Sequence, residues 1–158
     1  MSNTLKLILS IIICQAAGLV GTIFTMDSIP TWYAALNKPS FNPPNWLFGP
    51  VWTVLYLMMG ISLFIVWKED LKNKIIKSAF IIFMIQLLLN TIWSVVFFGM
   101  QSISGGLISI VLLWLMILFT IIKFMKISRV AGILLIPYLL WVSFATFLNY
   151  SIFQLNRS

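Results

Sequence analysis

Residues 32–56 read WYAALNKPSFNPPNWLFGPVWTVLY, a stretch with three of the seven tryptophans, four of the six prolines and one charge, Lys38. Pro39, Pro43, Pro44 and Pro50 each lack a backbone N–H, and a proline ring clashes with the preceding helical turn, so the first half cannot be an unbroken helix. Residues 32–44 are therefore expected to form an ordered, non-helical lid. From Asn45 the apolar residues run on to Trp67, long enough to enter a bilayer as a helix. The rest of the chain is then expected to wall whatever this lid covers.

Upstream, residues 7–26 form an uncharged run preceded by Lys6. A signal peptide would share the positive flank, but its apolar region spans roughly 7 to 15 residues, so the twenty here read as a retained span. Cys14 with Gly18, and Ala17 with Gly21, are small residues four apart that permit close helix contact in lipid. Downstream, Lys68, Glu69, Asp70, Lys72, Lys74 and Lys77 form the one dense charge cluster, read as a solvated turn. Residues 78–122 carry no charge. As a single helix they would extend to about 67 Å, roughly twice the hydrocarbon thickness, so two spans are required. The break is expected at residues 99–106, GMQSISGG. Lys123, Lys126 and Arg129 close the fourth span, and a fifth covers residues 130–150 with Pro137 inside, which predicts a kink or a carbonyl left free.

Composition agrees with this count. Hydrophobic residues make up 61% and charged residues 8%, against roughly 25% charged in soluble domains. The fold expected is all-α, a single domain over residues 1–158: an integral membrane bundle of five transmembrane helices with a long ordered loop between the first two. The net charge of +7 does not indicate nucleic acid, because the basic residues sit in short segments between apolar runs. Five spans gather Lys6, the four lysines at 68, 72, 74 and 77, and Lys123, Lys126 and Arg129 on one side. Lys38 and Arg157 fall on the other. The positive-inside tendency then predicts a multi-pass protein of a plasma (inner) membrane, its N-terminus cytoplasmic and its C-terminus and lid outside.

The chain has no histidine and a single cysteine, which removes the commonest metal and haem ligand and any intrachain disulfide. Asp27, Glu69 and Asp70 are all expected in connecting segments, so the intramembrane carboxylate typical of proton-coupled transport is missing. Catalysis by paired carboxylates, by a nucleophile with a histidine base, or by a metal is likewise unsupported. Polar and aromatic residues nonetheless recur within the spans. Gln86, Asn90 and Trp93 share one helical face, Trp141, Ala145 and Asn149 another, and Trp52 and Tyr56 a third. A buried amide must be paired, so Asn90 and Asn149 should face the interior, either bonding between helices or meeting a ligand. The pocket these residues imply is flat-sided, aromatic and amide-edged, with Lys38 at its mouth to meet an anionic group. A planar conjugated molecule with carboxylate arms would suit it, and the chemistry would come from that ligand, with no intrinsic cofactor.

The opening stretch, together with NTIWSVVFFG at residues 90–99 and PYLLWVSFATFLN at residues 137–149, resembles the TspO/MBR family, the tryptophan-rich sensory proteins and mitochondrial translocator (peripheral-type benzodiazepine receptor) proteins. The resemblance spans the whole chain and implies a five-helix bundle, a homodimer, and a pocket closed by the long loop. It further implies binding of porphyrins, notably protoporphyrin IX, or of sterols and synthetic isoquinoline carboxamide or benzodiazepine-type ligands. By position, the family's pocket corresponds to Tyr33, Pro43, Pro44, Trp52, Tyr56, Asn90, Trp93, Trp141, Ala145 and Leu148. The tryptophans matching Trp52 and Trp141 are those implied in light-dependent oxidative porphyrin breakdown, the one enzyme-like activity expected. A sterol-contact pattern after the fifth helix is incomplete, because six residues separate Tyr150 from Arg157 where at most five are allowed. A carrier of tetrapyrroles or other lipophilic ligands, and a ligand-sensing regulator acting through a partner, are the other roles compatible with the residues.

Overall fold

Helix starts in this chain are set by short polar side chains that take up backbone N–H groups otherwise without a partner. Ser2 Oγ accepts from the Leu5 N–H at 3.2 Å, Asn73 Oδ1 from Ile75 at 2.9 Å and Ser102 Oγ from Gly105 at 3.1 Å. In the computed structural model, which describes residues 1–157, these caps open helices α1 (Asn3–Ser28), α3 (Lys74–Ser94) and α4 (Ile103–Ile127). Helix α2 (Asn45–Trp67) has no side-chain cap and starts instead from extended Pro44. Short α5 (Arg129–Leu134) and longer α6 (Ile136–Leu155) complete the chain. Together they make five helical spans long and apolar enough to cross a membrane.

The lid is shorter than the prolines suggest. Helix α1 passes into a π-helical turn, Ile29–Tyr33, and stays helical to Ala35, so the non-helical segment is residues 36–44 and Trp32 and Tyr33 belong to a helix. Pro30 lies in that turn; a wide turn accommodates the missing N–H and the ring, which a regular helix would not. Asp27 consequently lies inside α1 rather than in a connection, in its last turn and exposed. A second π-helical turn, Val95–Gly99, prolongs α3. The break before α4 is residues 100–102 only; Gly105 and Gly106 already belong to α4, and Gln101, at φ 53°, makes the reversal.

Pro137 acts at the start of a helix rather than within one. The fifth span bends at Leu135 between α5 and α6, and the Leu135 N–H donates to the Gly132 carbonyl at 3.1 Å. The Ala131 carbonyl is taken by Ser62 Oγ of α2, which donates to it at 2.7 Å.

Helix α1 packs mainly on α2, and α4 on α3 and α6. The α1–α2 approach is close because Gly60 faces Ile11: a Cβ at Gly60 would lie 2.8 Å from the Ile11 Cα. Lys6 ties the same pair, donating from Nζ to the Trp67 carbonyl at the C-terminus of α2 at 3.1 Å. The main core gathers Cys14, Met59, Leu63, Phe83, Ile117, Phe124 and Tyr138, with Phe83 and Phe124 stacked at 5.6 Å. A smaller cluster of Tyr33, Phe97, Leu148 and Ile152 underlies the loop end.

Residues 36–44 are fastened at four points. Asn156 bonds both backbone groups of Asn37, and Phe41 stacks on Phe147 at 5.3 Å. The Tyr33 hydroxyl donates to Asn42 Oδ1 at 2.7 Å, and Lys38 Nζ donates to the carbonyls of Tyr33, Ala34 and Leu36 at 2.8 to 3.2 Å.

Candidate functional site

The polar residues of the spans divide into a buried relay and a cavity lining. In the relay, the Tyr56 hydroxyl of α2 donates to Asn90 Oδ1 of α3, and Asn90 Nδ2 donates to the Tyr138 oxygen of α6 at 2.9 Å. The Tyr138 hydroxyl then donates to Gln86 Oε1 at 2.9 Å. Asn90 and Gln86 are each 1% exposed; leaving Asn90 unpaired there would cost roughly 1–3 kcal/mol, so the relay holds three helices in register, while Gln86 Nε2 itself has no hydrogen-bond partner among the described residues.

Tyr56 also forms part of the floor of a cavity of about 410 Å³, whose walls are aromatic. Trp52 stacks on Tyr56 with centroids 5.5 Å apart and lies 6.4 Å from Trp93 and 6.2 Å, edge to face, from Tyr138. Trp93 stacks on Phe97 at 5.8 Å, and Phe48 meets Trp141 edge to face at 6.2 Å. The helical spacing of Trp52 and Tyr56 on α2, of Trp93 and Phe97 at the end of α3, and of Trp141, Ala145 and Leu148 on α6 aims all of them at one space. The Trp93 indole N–H is occupied by Asn149 Oδ1 at 3.4 Å, and that of Trp114, outside the cavity, by Ser143 Oγ at 2.7 Å. Among the described residues, the indole N–H groups of Trp52 and Trp141 have no protein acceptor.

Of the residues singled out from the sequence, Tyr33, Trp52, Tyr56, Trp93, Trp141, Ala145, Leu148 and Asn149 line the cavity together. Five do not. Gln86 belongs to the relay, accepting from Tyr138. Asn90 stands behind the wall, its amide spent on Tyr56 and Tyr138. Lys38 is turned back onto the end of α1, its ammonium on three carbonyls and 5.1 Å from the centre of the Tyr33 ring. Pro43 and Pro44 lead into α2 and do not line the cavity. The cavity lining is therefore uncharged, and residues 36–44 contribute no side chain to it.

Several lining residues escaped the sequence reading. Phe97 follows Trp93 by four and Ile152 follows Leu148 by four, so extending either face by one turn would have reached them. On α1 the signal was a polar and small stripe, Gln15, Gly18, Thr22 and Thr25, in an otherwise apolar helix. Every exposed residue of the lining, from Leu19 and Met26 to Gly49 and Thr53, lies on α1, its π-helical turn or α2; those from α3 and α6 are buried or half-buried. No group of three or more histidine, cysteine, aspartate or glutamate side chains able to hold a metal occurs among the described residues.

Comparison with known proteins agrees with this architecture. The model of the TspO/MBR family matches residues 10–155. The "Tryptophan-rich protein TspO" of Chlorobaculum tepidum is 49% identical over 152 residues, covering 96% of each chain. The "Tryptophan-rich sensory protein" of Cereibacter sphaeroides is 35% identical over 143 residues, covering 90% of this chain and 86% of the relative. The human "Translocator protein" is 36% identical over 141 residues, covering 87% and 82%. With five membrane-length helices around a tryptophan-lined cavity and these matches along its length, the chain belongs to the TspO/MBR family of multi-pass membrane sensory and translocator proteins.

Proposed function

We propose that the cavity binds a flat tetrapyrrole of the protoporphyrin IX type and that light absorbed by the bound pigment drives its oxidative breakdown through Trp52 and Trp141. The observation that carries this reading is the convergence of three indoles, Trp52, Trp93 and Trp141, on one uncharged space of about 410 Å³. Aromatic faces favour a flat conjugated ring. The indole N–H groups of Trp52 and Trp141 remain available to it. In this scheme the excited ring takes one electron from an indole and the reduced ring passes it to dissolved dioxygen. The oxidised indole then recovers its electron from the ring, and the ring radical cation so formed combines with the superoxide. Both oxygen atoms end on the ring, a carbon–carbon double bond of which is cleaved to two carbonyls, and the indole is restored. The scheme uses no histidine or carboxylate, and the lining holds neither.

The test is a titration of purified protein with protoporphyrin IX in the dark, followed by illumination. Binding should quench tryptophan fluorescence, and light should produce a new absorbing product. Trp52→Phe and Trp141→Phe should suppress the product while binding survives. Normal turnover in both variants would remove the redox role, and no quenching would remove the pigment.

A carrier of lipophilic ligands is the second reading, favoured by the exposed edge of the cavity along α1 and α2. It requires ligand flux across proteoliposomes above the protein-free leak. Either role is consistent with a plasma-membrane orientation in which the lysine-rich ends face the cytoplasm, a placement supported by charge alone.

A further inference from the structure

From the shape of the α1–α2 seam we infer that ligand reaches the cavity sideways from the lipid, through a window between the loop-proximal halves of α1 and α2, and not past the loop. This rests on reading the cavity as a ligand site and names the bilayer as the source of the ligand. The two helices are in tight contact at one end, where Ile11 meets Gly60 and the Tyr56 ring lies 2.5 Å from where a Gly18 Cβ would be. Towards the loop they part. On the α1 side the rim is Leu19 and Met26, each 67% exposed, with Thr22 between them. On the α2 side it is Asn45, Gly49 and Thr53, all exposed. These rim residues also line the cavity, so the same residues border both the surroundings and the interior. A Cβ built at Gly49 meets nothing within 4 Å, which marks open space rather than a packed seam.

The closures differ in strength. The loop side is held by the fasteners described above. Across the seam the one side-chain hydrogen bond between α1 and α2 next to the cavity runs from Gln15 Nε2 to the Thr53 carbonyl at 3.1 Å, and it is exposed. Rim hydroxyls satisfy themselves within their helices, Thr22 on the Gly18 carbonyl and Thr53 on that of Gly49, both at 2.9 Å, so parting the helices strands no further donor. In lipid no hydrophobic penalty opposes such parting, because acyl chains are as apolar as the side chains they replace. The window therefore suits a bilayer-dissolved, flat, apolar-faced ligand and excludes water-borne ions.

Access can be measured without assuming any ligand. In Ala145→Cys, placed in phosphatidylcholine nanodiscs, the introduced thiol sits on the cavity wall, and the wild-type chain, whose single thiol is the buried Cys14, is the blank. N-Phenylmaleimide, which dissolves in lipid, should label it on the order of tenfold faster than a sulfonated maleimide confined to water. Adding Gly49→Phe should slow N-phenylmaleimide about fivefold or more by filling the window, whereas Gln15→Ala should quicken it about two- to tenfold. Asn156→Ala, which loosens the loop, should change neither rate. The inference is overturned if the sulfonated reagent labels as fast, if Gly49→Phe leaves the rate unchanged, or if Asn156→Ala accelerates labelling. A protoporphyrin IX titration of the same nanodiscs separates the two ideas: absence of quenching alongside gated labelling removes the proposed pigment and leaves the window.

Discussion

The side-chain amide of Asn156 grips the backbone of Asn37 at both of its groups: Oδ1 accepts from the N–H at 3.1 Å and Nδ2 donates to the carbonyl at 2.9 Å. Nδ2 also donates to the Ile152 carbonyl at 2.8 Å, so the grip is anchored in α6 itself. Each such bond contributes about 0.5–1.5 kcal/mol net, so Asn156→Ala should favour loop opening by about 1–3 kcal/mol. Hydrogen exchange at Asn37 and Asn42 should quicken by about fivefold to a hundredfold, while the unfolding temperature of the bundle stays nearly constant. Unchanged exchange would mean that Lys38 and the Tyr33 to Asn42 bond hold the loop without it.

The relay through Asn90 should behave as a unit. Asn90→Leu strands the Tyr56 hydroxyl, while the Tyr138 hydroxyl loses one incoming donor but keeps Gln86 Oε1, and a loss of about 1–3 kcal/mol is expected from the one stranded buried donor. Tyr56→Phe removes one donor and should cost about 1–2 kcal/mol. In the double variant the costs should fall short of the sum by about 1 kcal/mol, the mark of coupling. Thermal unfolding in one detergent measures all three, and strict additivity would show that the relay is not cooperative.

What the sequence made legible follows the distance over which each signal acts. The five spans could be read because a run such as residues 78–122 is decided by local composition. Trp52 with Tyr56, and Trp141 with Ala145, could be placed on common faces because helical period is local too. The role of Lys38 was not legible: its ammonium turns back onto carbonyls freed at the end of α1, and that end depends on a π-helical turn that no proline count foretells. Asn90 pointed inward as expected, but choosing between a neighbouring helix and a ligand needed the positions of Tyr56 and Tyr138, which are 34 and 48 residues away. The contribution of α1 to the cavity was hidden because small residues in a membrane helix signal packing as readily as an opening.

Ser62 should prove a support for the bend at Leu135. Its hydroxyl is fully buried and donates to the Ala131 carbonyl, so Ser62→Ala leaves that carbonyl alone in the core. A loss of about 1–3 kcal/mol is expected, and Ser62→Thr, which keeps the hydroxyl, should recover part of it. If Ser62→Ala unfolds at the wild-type temperature, the bend is held by packing around Pro137 alone.

Gly60 and Gly49 lie on the same helix and should respond differently to the same methyl group. At Gly60 the added Cβ meets the Ile11 Cα at 2.8 Å and its backbone nitrogen at 3.2 Å, so α1 as a whole must move away. Overpacking of that kind costs about 1–3 kcal/mol, against at most about 1 kcal/mol gained by replacing a helical glycine. Gly60→Ala should therefore unfold at lower temperature. At Gly49 the methyl meets nothing beyond its chain neighbours, but Pro50 disfavours a helical conformation for a preceding residue that carries a Cβ, which offsets the glycine gain, so Gly49→Ala should stay within about 1 kcal/mol of the wild type. The contrast separates the sealed end of the α1–α2 seam from its open end by a stability measurement alone. Equal destabilisation at both glycines would mean that α1 and α2 are in contact along their whole length and that no window parts them.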